Sequence, residues 1–191
     1  MDVAEIGLAV IHPFDLSDIE QPPKTIQQLQ SQISVTTYSI KISGREQGKG
    51  REKFTAQNNK VVKADELEDV LVEILRSFRD TLAGAMSKAS ASDDVTVPSL
   101  VLIGFDLSFE LRSMSASYSR IADYFTSWVD LQELVKDAAQ LRLSPSMRDS
   151  LMALGFGSSY PDIGTPQTKH SAAMDTLRIA AILCQSILTQ R

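Results

Sequence analysis

The sequence predicts a mixed α/β fold, and three observations carry the prediction. Two β-rich runs lie early in the chain, EIGLAVI ahead of Pro13 and SVTTYSIKI at 34–42. A compact apolar run, PSLVLIG, follows at 98–104. Between them, residues 64–88 repeat apolar side chains at helical spacing. Two early strands followed by alternating helix and strand give a mixed sheet with helices on its faces.

Val3 to Ile11 reads as a strand because it is apolar, partly β-branched and stops before a proline. Phe14 to Lys24 is a polar, proline-containing connection. Ser34 to Ile42 alternates and is the second strand, expected antiparallel to the first. Residues 44–60, with three glycines and many charges, read as a flexible basic loop or hairpin end. In the helix over Ala64 to Lys88, Leu67, Val70, Leu71, Ile74, Leu75, Phe78 and Leu82 form the apolar stripe. Asp65, Glu66, Glu68 and Asp69 load its first turn, where the helix dipole favours negative charge. Pro98 to Gly104 is a candidate central strand, buried on both faces, that completes the sheet. Leu107 to about Phe125 is expected to be helical, Ser127 to Asp130 a short strand, and Leu131 to Leu141 another helix. Ser144-Pro145 starts a short helix as N-cap and first helical residue. After a loop at 157–168, Ser171 to Thr189 is a strongly apolar last helix.

The chain has 191 residues, 43% hydrophobic and 23% charged, which fits a single domain spanning 1–191 with a substantial core. No apolar run approaches the roughly 18 residues that span a bilayer. Asp2 and Glu5 precede only a short apolar strand, the reverse of a signal peptide. An intracellular location, cytoplasmic or nuclear, is the expectation. The one cysteine, Cys184, excludes an intramolecular disulfide and a thiolate zinc cluster, and reads as a small buried hydrophobe. The net charge of −5 gives no global support for nucleic-acid binding. Arg45, Lys49, Arg51, Lys53 and Lys60 concentrate positive charge in one loop, which is either a solvated segment or a phosphate contact. His12 beside Pro13 is a turn residue, and Trp128, within a strand, is expected in the core. There is no P-loop, Gly-x-Gly-x-x-Gly or Gly-x-Ser-x-Gly motif.

Two segments carry candidate chemistry. The first, His170-Ser171-Ala172-Ala173-Met174-Asp175, opens the last helix. A histidine on the entering loop and an aspartate one turn later suit metal-assisted hydrolysis, with the histidine as base and the aspartate as metal ligand. Read alone, the pattern is equally an ordinary solvent-exposed helix start. In the second, Ile103-Gly104-Phe105-Asp106-Leu107-Ser108-Phe109-Glu110, an apolar strand ends in glycine and runs into a helix bearing a carboxylate. Ends of strands are where α/β sheets place ligands. Asp106 alone is equally a helix N-cap, and Glu110 alone a surface glutamate.

Taken together, with Val129-Asp130 between them, these segments resemble the DEDDh family of RNase H-like 3′-to-5′ exonucleases, and most of all the C-terminal domain of the fungal Gfd family. Glu5-Ile6-Gly7 matches the family's second strand. Ile103-Gly104-Phe105-Asp106 matches its later turn, and Glu110 falls where its second-motif aspartate lies. His170 and Asp175 match its third motif. The resemblance implies an RNase H-like mixed sheet flanked by helices. It also implies a cleft in which His170 is the catalytic base, Glu110 and Asp175 hold Mg²⁺ or Mn²⁺, and Phe105 and Asp106 touch a single-stranded RNA or DNA end. Phe105 stands where the family has histidine, and Glu110 is one methylene longer than aspartate. The family's first strand, with its Asp-x-Glu, would precede residue 1, and Asp2-Val3-Ala4-Glu5 is not that motif. The expectation is therefore a nucleic-acid-binding domain impaired in catalysis. Its alternatives are an active exonuclease and a protein-interaction scaffold. The missing strand is expected to leave an exposed sheet edge open to a protein partner or a second copy.

Overall fold

The structure, a computed structural model, describes residues 4–12, 19, 21–45, 55–89, 99–156 and 171–188, with side chains to residue 85 in the helix that ends at Ala89. The fold is mixed α/β. The elements run β1 (Glu5–Ile11), α1 (Ile26–Gln32), β2 (Val35–Ile42), β3 (Asn58–Val62), α2 (Leu67–Ala89), β4 (Leu100–Gly104), α3 (Ser108–Ser117), α4 (Ser119–Ala122), β5 (Phe125–Asp130), α5 (Leu131–Ala138), α6 (Met147–Ala153) and α7 (Ala172–Leu188). The chain divides into two compact units: Met1–Val62 with Leu131–Arg191, and Lys63–Asp130. Among the described residues, no helix is long and apolar enough to cross a membrane.

In the first unit, β1 and β2 pair antiparallel, as the sequence predicts, and β3 joins β2 in parallel. Side chains on a strand alternate between faces. Gly7 and Ala9 of β1 therefore share a face with their partners Ser39 and Thr37 of β2. These small residues let α7 lie directly against β1 and β2. A Cβ on Gly7 would stand 2.1 Å from the Ala172 carbonyl oxygen and 2.6 Å from the Ala173 nitrogen. Only glycine admits this approach of helix backbone to strand. Helix α7 also contacts α1, α5 and α6, so it is the centre of this unit. Its Ala173, Leu177, Ala181, Ile182 and Cys184 are fully buried. Burial pushes the Cys184 thiol up to about 11, consistent with an inert core position.

Two elements here were not anticipated. Helix α1 starts at the N-cap Thr25, whose Oγ1 accepts the Gln28 N–H at 3.1 Å, while the Gln28 side chain accepts the Lys24 N–H at 2.8 Å. Thr-x-x-Gln is a capping-box signature and was the readable signal. Strand β3 claims residues 58–60 of the expected basic loop. Gln57 anchors it by exchanging two 3.1 Å hydrogen bonds with Thr37, and the Asn58 side chain donates to the Thr37 carbonyl at 3.3 Å. Residues 46–54 of that loop, and the loop at 157–168, lie outside the described residues.

The start of α6 also differs from expectation. Ser146, not Ser144, is the N-cap. Its hydroxyl oxygen accepts the Asp149 N–H at 3.1 Å and its O–H donates back to the Asp149 carboxylate at 2.7 Å. The reciprocal pair outcompetes the Ser-Pro start, and Pro145 instead offers its carbonyl to the Gln132 side chain at 2.9 Å. The helix closes at Gly155, whose φ of 86° suits glycine, with the Phe156 N–H reaching back to the Leu151 carbonyl.

In the second unit, β4 and β5 form a parallel pair of their own, so the described strands make two sheets rather than one mixed sheet. Strand β4 is therefore not the buried central strand expected. Val101 is 48% exposed, and β5 is the one described strand that pairs with β4. Trp128, expected in the core, is 63% exposed on β5. The helix expected from 107 to 125 breaks at Tyr118 into α3 and α4, and the chain is extended from Phe125. Helix α4 is tied to α2 by Arg120, which donates from its backbone to Glu68 at 2.9 Å and from its guanidinium to Asp69 at 2.5 Å. The Arg79 guanidinium stacks 4.7 Å from the Tyr124 ring centre.

Gly7→Ala is expected to lower stability by at least about 2 kcal/mol, because backbone rather than a flexible side chain opposes the new methyl. Urea unfolding measures it. An unchanged midpoint would mean that the helix–strand contact is looser than described.

Candidate functional site

The candidate residues of the second unit gather at the C-terminal ends of the parallel strands β4 and β5. The chain leaves β4 at Gly104, passes Phe105, which is half-buried, and turns at Asp106, a non-glycine residue at φ 58°. This left-handed backbone is one that aspartate tolerates better than most residues. Asp106 is not the N-cap of α3. That position falls to Leu107, which has no side-chain oxygen to offer and is buried. The capping comes from across the sheet. The Asp130 carboxylate, at the end of β5, accepts the Asp106 N–H at 3.0 Å and the Leu107 N–H at 2.9 Å. Both of its oxygens thereby tie the β4–α3 turn to β5. Asp106 in turn accepts the Ser108 hydroxyl at 3.0 Å.

Glu110 sits in the first turn of α3, close enough to Asp106 and Asp130 to feel both. Partial withdrawal of its carboxyl from water raises its pKa first. A hydrogen bond from its own backbone acts against this, and the two neighbouring carboxylates add to the rise. The side chain still keeps much of its surface in solvent, so the effect on stability is small. The structure thus brings together Phe105, Asp106, Glu110 and Asp130. The last was read from sequence as part of a recurring Val-Asp element, and the signal for its capping role is an aspartate ending the strand parallel to β4.

Asp175 belongs to the other unit, in the first turn of α7, whose first bond runs from the Asp175 N–H to the Ser171 carbonyl at 3.0 Å. Arg178, 1% exposed, donates from Nη1 to Asp175 Oδ1 at 2.9 Å. A guanidinium in the core needs a compensating charge, and Asp175 supplies one. His170 lies outside the described residues, so the expected cleft of Glu110, His170 and Asp175 rests on a residue and a unit arrangement that the description does not include.

These donors do not fit a pair of Mg²⁺ or Mn²⁺ ions. Two-metal hydrolysis holds its ions roughly 4 Å apart with several carboxylates. Here Asp130 holds the β4–α3 turn, Asp175 binds Arg178, and among the described residues no group of three or more His, Cys, Asp or Glu is placed to hold a metal ion. No step through a metal is derived. No protein-family model, curated protein or solved structure matches this chain.

Asp130→Ala is expected to cost about 2–4 kcal/mol, since it removes a charged acceptor from two backbone N–H groups. Asp130→Asn, which keeps one acceptor oxygen, should cost about half as much. Thermal unfolding of both variants checks the order. Glu110 gives a pH test. Its folded pKa lies above the unfolded value, so the folded state binds the proton more readily and stability falls as pH rises through that window. Glu110→Gln should therefore be slightly more stable than wild type at neutral pH, with the difference vanishing below the ordinary glutamate range. A variant less stable at neutral pH would contradict this.

Proposed function

We propose that the chain is an RNase H-like domain of exonuclease type that binds single-stranded RNA or DNA and is impaired in catalysis. The observation that carries the reading is the commitment of its carboxylates to the fold. The acidic positions matching the family's pattern are there, yet Asp130 is spent on the Asp106 and Leu107 N–H groups of the β4–α3 turn and Asp175 on buried Arg178. The fold is compatible with the reading. The described strands form a three-stranded mixed sheet, β1–β2–β3, and a parallel pair, β4–β5. The turn after β4 puts Phe105 and Asp106 at a strand end, the usual ligand position in α/β sheets. Exposed Trp128 offers a face on which a base can stack, and Arg45 and Lys60 flank a loop rich in positive charge.

A second reading, a protein-interaction scaffold, has one specific observation in its favour. His12 donates to the Ser34 carbonyl, and Ile42 to the Ala4 carbonyl, each at 3.0 Å. Antiparallel bonding alternates along a strand, so Gly7, Ala9 and Ile11 direct their N–H and C=O groups away from β2. No described strand takes up that edge.

The test is a pair of assays on labelled single strands. Fluorescence anisotropy should show binding that weakens steeply with salt. Degradation with Mg²⁺ or Mn²⁺ should be absent. Cutting that Glu110→Gln abolishes, while the variant still folds, would replace this reading with that of an active exonuclease. Absence of binding at low salt, with light scattering showing self-association, would favour the scaffold.

A further inference from the structure

The connection between α5 and α6 contains a serine that the fold leaves without structural duty. Ser144-Pro145 has the look of a helix start, but Ser146 performs the capping. Residues 139–144 are exposed throughout, and Leu143 stands 82% in solvent. Neighbouring anchors hold the segment at its C-terminal end: Pro145 through its carbonyl to Gln132, and Ser146 through its reciprocal bonds with Asp149. The Ser144 hydroxyl itself makes one long contact, donating to Glu133 Oε1 at 3.4 Å. Glu133 Oε2 in turn faces Lys136 Nζ at 3.3 Å.

We propose that Ser144 is a phosphorylation site for a proline-directed protein kinase and that the phosphate recruits Lys136 from Glu133. Pro145 has no N–H and a fixed φ, which keeps the segment extended and restricts it to kinases whose site accepts proline after the acceptor serine. In the transfer, the Ser144 oxygen bonds to the γ-phosphorus of a nucleoside triphosphate. The bond to the departing diphosphate breaks, and the hydroxyl proton passes to the kinase's base. The product carries about −1.5 to −2 charge, and its dianion accepts hydrogen bonds without donating any. The contact to Glu133 is then lost and becomes repulsive, and Lys136, which faces the other oxygen of Glu133, is a cation the phosphate can draw away, alongside Arg142, two residues before Ser144 in the chain. Because Ser146 and not Ser144 caps α6, the helix survives the modification.

The only other serine or threonine followed by proline is Thr165, which makes the assignment testable. The full chain is incubated with ATP and a proline-directed kinase and mapped by mass spectrometry. Phosphate should appear on Ser144 in the wild type and in Thr165→Ala, and be lost from that position in Ser144→Ala. Phosphate on Thr165 alone, or none, overturns the site. The recruitment of Lys136 is read by ³¹P NMR titration of the phosphorylated chain. An ammonium beside the phosphate favours its dianion, so Lys136→Gln should raise the second phosphate pKa. No change between the two proteins overturns the re-pairing.

Discussion

The seating of α7 on Gly7 is the constraint on which the larger unit depends. A strand bearing any side chain at that point would hold the helix away by the width of a methyl group or more. The contact brings α7 down onto β1 and β2, where Ser39 and Thr37 are correspondingly small and buried. From there α7 collects α1, α5 and α6, and nearly all its inward positions are apolar or alanine. The buried exceptions are Gln185, which donates to the Pro23 carbonyl, and Arg178. Once a guanidinium is in the core, a nearby carboxylate is drawn into charge compensation, and Asp175 is one turn away.

The smaller unit repeats the logic with a different group. The turn between β4 and α3 leaves helix-initiating N–H groups that its own residues do not cap, because Leu107 occupies the cap position. Asp130 reaches over from the parallel neighbour and accepts the N–H groups of Asp106 and Leu107, the turn and cap residues just ahead of the helix. Glu110 and Asp106 are then left near a carboxylate already in use, and the concentration of negative charge shows in the raised Glu110 pKa. Of these acidic residues, Asp130 is held by backbone N–H groups and Asp175 by a guanidinium, while Asp106 accepts the Ser108 hydroxyl.

How much of this was legible in the sequence depended on whether the signal was local. The β1–β2 pair, α2 and α7 were readable, because alternation, helical spacing and apolar content are properties of short windows. Strand β3 was not, since NNKVV has little β character and is held by Gln57 and Asn58 bonding to Thr37, some twenty residues away. The exposure of Trp128 and Val101 was hidden for a related reason. An apolar strand looks central in sequence, but burial is decided by what packs on each face of its sheet, which is a tertiary fact. Among the candidate site residues, the grouping of Phe105, Asp106 and Glu110 followed from the strand-turn-helix pattern. The roles of Asp130 and Asp175 did not, because a carboxylate's partner is a tertiary fact. Ser144 and Ser146 show the same limit at close range, where the reciprocal bond to Asp149 chose between two serines two residues apart.

The central proposal is that Asp130 and Asp175 serve the fold and that the chain does not bind a pair of metal ions. Calorimetric titration of the full chain with Mn²⁺ tests it most directly. The account predicts no tight site, with at most one weakly held ion. Two ions bound together with high affinity, and lost on Glu110→Gln, would contradict it.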